Sequence, residues 1–315
     1  MDIDYLLFLQ NFRIGINDAL TPFLENLSLL AISYLIFFPV LIYWMIDKKT
    51  GLYPLLSMGL TLGINSIVKL TVCAYRPWIR DERIVPAGNA IHTATGYSFP
   101  SGHTANSGPI YGGLAVKVWK SYKWLSVILV ILYALTAFSR NYLGVHTPQD
   151  VLFGTLESVL ALILIDRIFR YLDIHPEKEN LFLLISFLFG WAALAYITFK
   201  PYPMTYVDGK LLVDPQKMMN DGYSDICCLI AFPIARFIER KWVRFKPAGF
   251  GGKGIIVSVA GLIPLALMIT FMSSPLDAAF GSHWGHFLHR FIMVMYYIAL
   301  YPMVIKAVCG GEKQE

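Results

Sequence analysis

Apolar residues in this chain gather into long runs instead of alternating with polar ones. Nine such runs lie at roughly 22–46, 52–75, 103–118, 123–139, 148–171, 180–199, 223–242, 254–274 and 286–307. A helix needs about 20 mostly apolar residues to cross the hydrocarbon core of a bilayer, so each run predicts a membrane-spanning helix. The runs at 103–118 and 123–139 are short and carry Gly, Asn or Lys. Polar stretches at 173–180, 200–222 and 244–253 read as loops. The expected fold class is therefore all-α: a polytopic transmembrane helix bundle of about nine spans, one membrane domain over 1–315, with no internal repeat and no soluble domain. Residues 4–20 set Leu6, Leu7, Leu9, Phe12, Ile16 and Leu20 among polar positions. That pattern suits a helix lying in the membrane interface; a flexible tail is the alternative.

Composition agrees with this picture. The 315 residues are 56% apolar and only 15% charged, against about 25% charged in soluble domains, and the mean hydropathy is +0.56. The chain begins Met1-Asp2-Ile3-Asp4, without the basic start of a cleavable signal peptide, so none is expected. Cys73, Cys227, Cys228 and Cys309 lack disulfide or zinc-site spacing and read as small apolar residues.

Nine spans place the termini on opposite sides. Ten of the 26 Lys and Arg residues then fall on the side of the N-terminus. Sixteen fall on the other, among them Lys48, Lys49, Lys117, Lys120, Lys123 and the group Arg236, Arg240, Lys241, Arg244 and Lys246. Cytoplasmic loops are the Lys/Arg-rich ones, so the N-terminus is expected outside and the C-terminus in the cytoplasm. The net charge of +5 is an orientation signal. It does not suggest a nucleic-acid partner, which would need a basic patch on a soluble face.

Three motifs fall on the non-cytoplasmic side: Lys69-LTVCAY-Arg76-Pro77, Pro100-Ser101-Gly102-His103, and Ser139-Arg140-NYLGV-His146-TPQ-Asp150. Lys69 and Arg76 are two helical turns apart and share a face. An intramembrane Lys costs about 2.5–3.5 kcal/mol on insertion scales, although near a span end both side chains could snorkel to the headgroups. Ser101 is a good N-cap, Gly102 lets backbone approach a ligand, and helix-terminal amides bind anions; an ordinary capped helix start is the alternative. Thr147 and Pro148 suit the start of a helix, which puts Asp150 in its first turn near His146. A carboxylate there fixes the imidazole tautomer and suits a nucleophilic or basic His; the alternative is an Asp that only caps. Together, three cations, a helix start, two His and one Asp form a phosphate-binding inventory with a nucleophile and an acid.

The three motifs, complete and in order, resemble the signature of the type 2 phosphatidic acid phosphatase and vanadium haloperoxidase superfamily. The resemblance implies a six-helix core at about 22–199 with three additional spans in 200–315, and a nine-span layout is also similar to the glucose-6-phosphatase branch. It implies that His146 attacks phosphorus and forms a phosphohistidine, that Asp150 orients His146, and that His103 protonates the leaving alkoxide. Lys69, Arg76, Arg140, Ser101 and the Gly102 amide would hold the phosphoryl oxygens. Phosphoryl transfer is mostly positioning and charge stabilisation, and three fixed cations can supply this. No Asp/Glu cluster suited to magnesium stands in the sequence, so no metal and no other cofactor is expected.

The expected function is a metal-independent membrane phosphatase acting on a lipid phosphate: phosphatidate-like, sphingoid phosphate or polyprenyl diphosphate. The alternatives are a glucose-6-phosphatase-like sugar phosphatase, a lipid phosphotransferase and a non-catalytic lipid-binding or transport protein. The partners are the lipid phosphate and the bilayer, with a homodimer left open. Arg80 and Arg83, in a loop with Trp78 and His92, could read the substrate headgroup or simply be solvated. Glu157 shares a face with Asp150 and Gly154 and suits a structural hydrogen bond more than a catalytic one. Asn65, one turn before Lys69, could bond to Lys69 or to a neighbouring helix, and Asp225 has no assigned part.

Overall fold

In the computed structural model the described residues are 2–94, 96–207 and 209–309. Each of the nine apolar runs becomes helix, with end effects that the local chemistry explains. The first run breaks into α2 (Thr21–Ser33) and α3 (Phe37–Met45), bent by 42°. Pro39 lies in the first turn of α3, where its missing N–H costs no helical bond. Then follow α4 (Lys48–Val72) and the single turn α5 (Pro77–Arg80). Next come α6 (Gly102–Val118), α7 (Lys123–Tyr142), α8 (Pro148–Ile174) and α9 (Glu179–Phe199). The seventh run starts earlier than its apolar part, as α10 (Pro215–Ile238), capped by the Asp214 carboxylate accepting from Gln216 N at 2.9 Å. Beyond it lie α11 (Gly252–Phe271), α12 (Ser273–Phe280), α13 (Ser282–Met295) and α14 (Tyr301–Cys309). A two-residue hairpin in the 200–222 loop pairs Tyr206 with Leu211 and Val207 with Lys210.

The N-terminal segment is a helix, α1 (Asp2–Gly15), and is tied down rather than loose. Gln10 exchanges hydrogen bonds with the backbone of Arg83 and Val85 at 3.0 and 2.8 Å, and Arg13 donates to Val85 O at 3.0 Å. It straps the 81–85 loop.

Among the described residues five helices, or six with α2–α3 taken as one bent span, are long and apolar enough to cross a membrane. These helices fit an integral membrane protein. The outward faces are apolar at helical spacing, as in Ile256, Val259, Ile263 and Leu267 of α11, all exposed, while Ser258, Gly261 and Leu265 turn inward and are buried. That inversion of the soluble pattern is what a lipid solvent selects. The buried polar residues collect on α4, α6, α7 and α8, which pack around α6.

One irregularity is satisfied by side chains. Between α13 and α14 the helix widens into a π turn at Tyr296–Leu300. Two carbonyls of this turn find donors on α3: Trp44 Nε1 reaches Tyr297 O at 2.8 Å and the Tyr43 hydroxyl reaches Ile298 O at 3.0 Å. All four residues are buried, so these bonds avoid the cost of orphaned carbonyls.

Candidate active site

The three motifs meet at one end of the bundle. Lys69 stands in the last turn of α4, Arg76 just ahead of α5, and Ser101 caps α6 ahead of Gly102 and His103. Arg140 ends α7, His146 lies in the 143–147 turn, and Asp150 sits in the first turn of α8. All but Gly102 are buried by their overall exposure. Alternation of helix direction explains the convergence: α4 and α7 end where α6 and α8 begin.

The His146 turn is held in detail. Gly144 takes φ +72°, a left-handed conformation that an L side chain resists. The turn folds back so that the amides of Val145 and His146 both reach Arg140 O, at 3.1 and 3.2 Å. Asn141 donates to His146 O at 2.9 Å. Thr147 and Asp150 form a reciprocal capping box, with Thr147 N donating to Asp150 Oδ2 at 2.9 Å. The same oxygen receives the Ser98 hydroxyl at 2.5 Å and His146 Nδ1 at 3.2 Å. Capping and orienting His146 are therefore two uses of one carboxylate.

This arrangement sets the tautomer. A carboxylate accepts, so the proton lies on Nδ1 and the lone pair on Nε2. Nε2 faces the Arg76 guanidinium, with Nη1 at 2.8 Å. Arg76 is fixed in turn by Val145 O at 2.9 Å and Gly96 O at 3.2 Å, and it stands 5.8 Å from the Trp78 ring. Burial, and next the guanidinium, push the pKa of His146 well down from the ordinary histidine value, so the ring is neutral at pH 7.

The remaining groups leave donors unspent. Arg140 gives Nη1 to the Ser28 hydroxyl of α2 at 2.6 Å, but Nε and Nη2 are buried without a hydrogen-bond partner among the described residues. His103 Nε2 is likewise buried and unpartnered among them. Arg140, His146, Arg76 and Lys69 all lie within electrostatic range of His103. Lys69 Nζ stands 3.5 Å from where a side chain on Gly102 would begin, so glycine keeps this approach open. Gly154 plays a similar part: a side chain there would meet Ser101 O at 2.9 Å, and its absence lets α8 lie against the start of α6. Ser101 N donates to Asp150 O at 3.0 Å across that contact. The Ser101 hydroxyl accepts from Thr104 Oγ1 at 3.0 Å and caps α6.

Other residues singled out in the sequence stand apart. Arg80 pairs with Asp2 at 2.8 Å and Arg83 with Asp81 at 2.7 Å, and Arg83 is largely exposed. Neither is joined to the His146 cluster by a hydrogen bond or ion pair described here. Glu157 accepts from Asn65 at 2.7 Å, linking α8 to α4 below Lys69. Ser98, Ser28 and Asn141 were not singled out by sequence. The one available signal was adjacency, since Ser98 precedes the second motif and Asn141 follows Arg140. Among the described residues no group of three or more His, Cys, Asp or Glu side chains is placed to hold a metal ion.

The family model described as the PAP2 superfamily matches residues 50–174, the stretch that carries all three motifs. The Escherichia coli protein YbjG is 31% identical over 162 residues, 44% of this chain and 80% of that protein. The chain belongs to the PAP2 superfamily. This PAP2 chain is also similar to lipid phosphate phosphatase delta of Arabidopsis thaliana, 28% identical over 64% of this chain and 49% of that one. It is similar to the undecaprenyl-diphosphatase of Sulfolobus acidocaldarius, 28% identical over 35% of this chain and 50% of that one. The chain thus spans about half the length of these two relatives. No solved structure matches it.

Proposed function

We propose that this PAP2 protein is a membrane phosphatase that removes phosphate from a lipid phosphate monoester or diphosphate by way of a phosphohistidine on His146, with no metal required. The observation that carries the reading is His146 itself: Nδ1 on Asp150 at 3.2 Å, Nε2 facing Arg76 at 2.8 Å. The nucleophilic lone pair thus points at the cation that a phosphoryl oxygen would seek. In the first step Nε2 bonds to phosphorus and the bond from phosphorus to the leaving oxygen breaks. His103, as the imidazolium, gives its proton to that oxygen, and the phosphate's negative charge offsets the cations around it. In the second step water attacks phosphorus, its proton passes to His103, and the P–N bond breaks. Arg76, Arg140 and Lys69, with Ser101 and the Gly102 amide, hold the equatorial oxygens, where electrostatic preorganisation contributes most.

A lipid substrate is favoured by two things. The relatives bear the names lipid phosphate phosphatase and undecaprenyl-diphosphatase. The site lies at the end of a bundle with apolar outer faces. In this reading the chain is one membrane domain of nine spans, with a core at 22–199 and further helices in 200–315. The site and N-terminus face away from the cytoplasm, following the charge asymmetry of the loops. Arg80 and Arg83, both already paired, belong to the loop around the site rather than to the phosphate.

The purified wild type, assayed in EDTA on detergent-dispersed phosphatidate, a polyprenyl diphosphate and glucose 6-phosphate, tests both parts. Phosphate release from a lipid, fastest among the three and indifferent to EDTA, is the expected result. A preference for the sugar phosphate would overturn the substrate class, and loss of activity in EDTA the metal independence.

A further inference from the structure

The PAP2 match ends at residue 174, yet α10 lies against the active-site end of α4. Gly222 of α10 allows the approach: a side chain there would meet Leu70 Cδ1 at 2.6 Å, beside Lys69. Higher up, Met218 of α10 packs against Gly96, whose carbonyl accepts from Arg76. The polar link is Ser66 of α4, which donates to Asp225 Oδ2 of α10 at 2.7 Å. Asp225 is held from its other side by Arg290 of α13 at 3.8 Å, and Arg290 also donates to Ser224 at 3.1 Å. Ser66 and Lys69 are three residues apart and share a helix face. Lys69 is within electrostatic range of both Asp225 and the exposed Asp221. On the neighbouring position of α4, Asn65 is tied to Glu157 of α8. The turn that carries Lys69 is therefore tethered to α8 by one polar bond and to α10 by another.

We propose that the Ser66–Asp225 hydrogen bond is a tether by which α10 positions Lys69 in the phosphate site, so that a helix outside the PAP2 match completes that site. This rests on the phosphatase reading above and extends it. Asp225 and Ser66 are positioning residues: they touch no reacting atom and act through Lys69. Two features distinguish this from mere bundle packing. The effect passes through one side chain, and its sign opposes that of simple charge. Removing the Asp225 carboxylate should by charge alone favour an incoming phosphate, whereas loss of the tether misplaces Lys69 and weakens phosphate binding.

The experiment is a double-mutant cycle read as KM for a lipid phosphate and as inhibition by orthovanadate, on full-length protein in detergent. Ser66→Ala, which leaves every charge in place, and Asp225→Ala should each raise KM and the vanadate inhibition constant by about fivefold to tenfold. Their kcat should change less, as for lost uniform binding. In a Lys69→Met background neither substitution should raise KM further. A rise of equal size in that background, an unchanged KM in Ser66→Ala, or a fall in KM for Asp225→Ala overturns the tether. Should Asp225→Ala fail to fold, Ser66→Ala and its cycle with Lys69→Met decide alone. Wild-type turnover and its loss in His146→Ala test the phosphatase reading separately, so an active wild type with uncoupled Ser66 and Lys69 sinks only the tether.

Discussion

The motif cations and the cations at the other end of the helix bundle are treated in opposite ways. At the end away from the motifs, carboxylates meet the cations. Lys48 pairs with the buried Glu239, Arg236 with Glu179 and Glu239, Arg240 with Glu179, and Lys49 with Asp173. At the motif end, Arg140 has only a serine hydroxyl among the described residues, and no carboxylate lies within ion-pair distance of Arg140 or Lys69 among them. A buried ion pair that is complete is close to neutral for stability, while a buried charge without a partner is costly. In the proposed reading, the second set is left open for a ligand of opposite charge. Arg80 and Arg83 differ from the motif cations in that each is paired with an aspartate.

Substitutions at the two ends should therefore fail in different ways. The largest effect is expected from His146→Ala, which removes the nucleophile: phosphate release should fall by roughly 10⁴-fold or more, as when a covalent catalyst is lost. Stopped assays of phosphate release read this directly, and near-normal turnover would break the comparison at its centre. His103→Ala should lower kcat by about 10²–10⁴-fold, the range for a positioned general acid. The loss should shrink on an aryl phosphate, whose leaving group needs no proton; an equal loss on both substrates would remove His103 from that role.

Arg140→Ala should raise KM by roughly tenfold to a hundredfold, with Ser28→Ala, which frees one nitrogen of the same guanidinium, nearer a few-fold. At the opposite end Glu239→Gln leaves Lys48 and Arg236 short of a buried counter-charge. It should cost stability on the order of 3–5 kcal/mol, seen as a lower thermal midpoint in detergent, while kcat per folded molecule stays unchanged. A loss of kcat without a loss of stability would mean that the two ends are not distinct.

The pH dependence follows from the same geometry. Burial and Arg76 push the His146 pKa down, so the ring stays neutral as pH falls through the ordinary histidine range near 6.5. The acid limb of kcat/KM that belongs to the nucleophile should accordingly lie below that range. Weakening the cation with Arg76→Gln should move this limb upward, toward higher pH. A downward move would show that Arg76 does not face His146 during turnover.

Much of this was legible in the sequence, and the reasons differ by feature. Long apolar runs announce helices because a bilayer leaves a chain few other solutions. The breaks are harder to read: Pro39 signals an interruption of the run 22–46 but not the 42° angle of the bend. The candidate site residues stood out because Lys, Arg, His and Asp are rare and costly in spans. Their supports were not. Ser28 and Arg140 are 112 residues apart, and Ser66 and Asp225 159 apart. Serine is common in spans and carries no warning of what it will meet. The docking of α1 was hidden for a similar reason, since Gln10 and Arg13 bind backbone atoms of a loop, which side-chain patterns do not reveal. The central place of α10 follows from topology, not from its composition.

The most direct measurement is a rapid acid-free quench of the wild type during turnover of a lipid phosphate, followed by peptide mass spectrometry. The account predicts a phosphoryl adduct on the peptide containing His146, localised to that imidazole, lost on acid treatment and absent from His146→Ala. A wild type that turns over at full rate with no adduct at His146, or with the adduct on another residue, would contradict it.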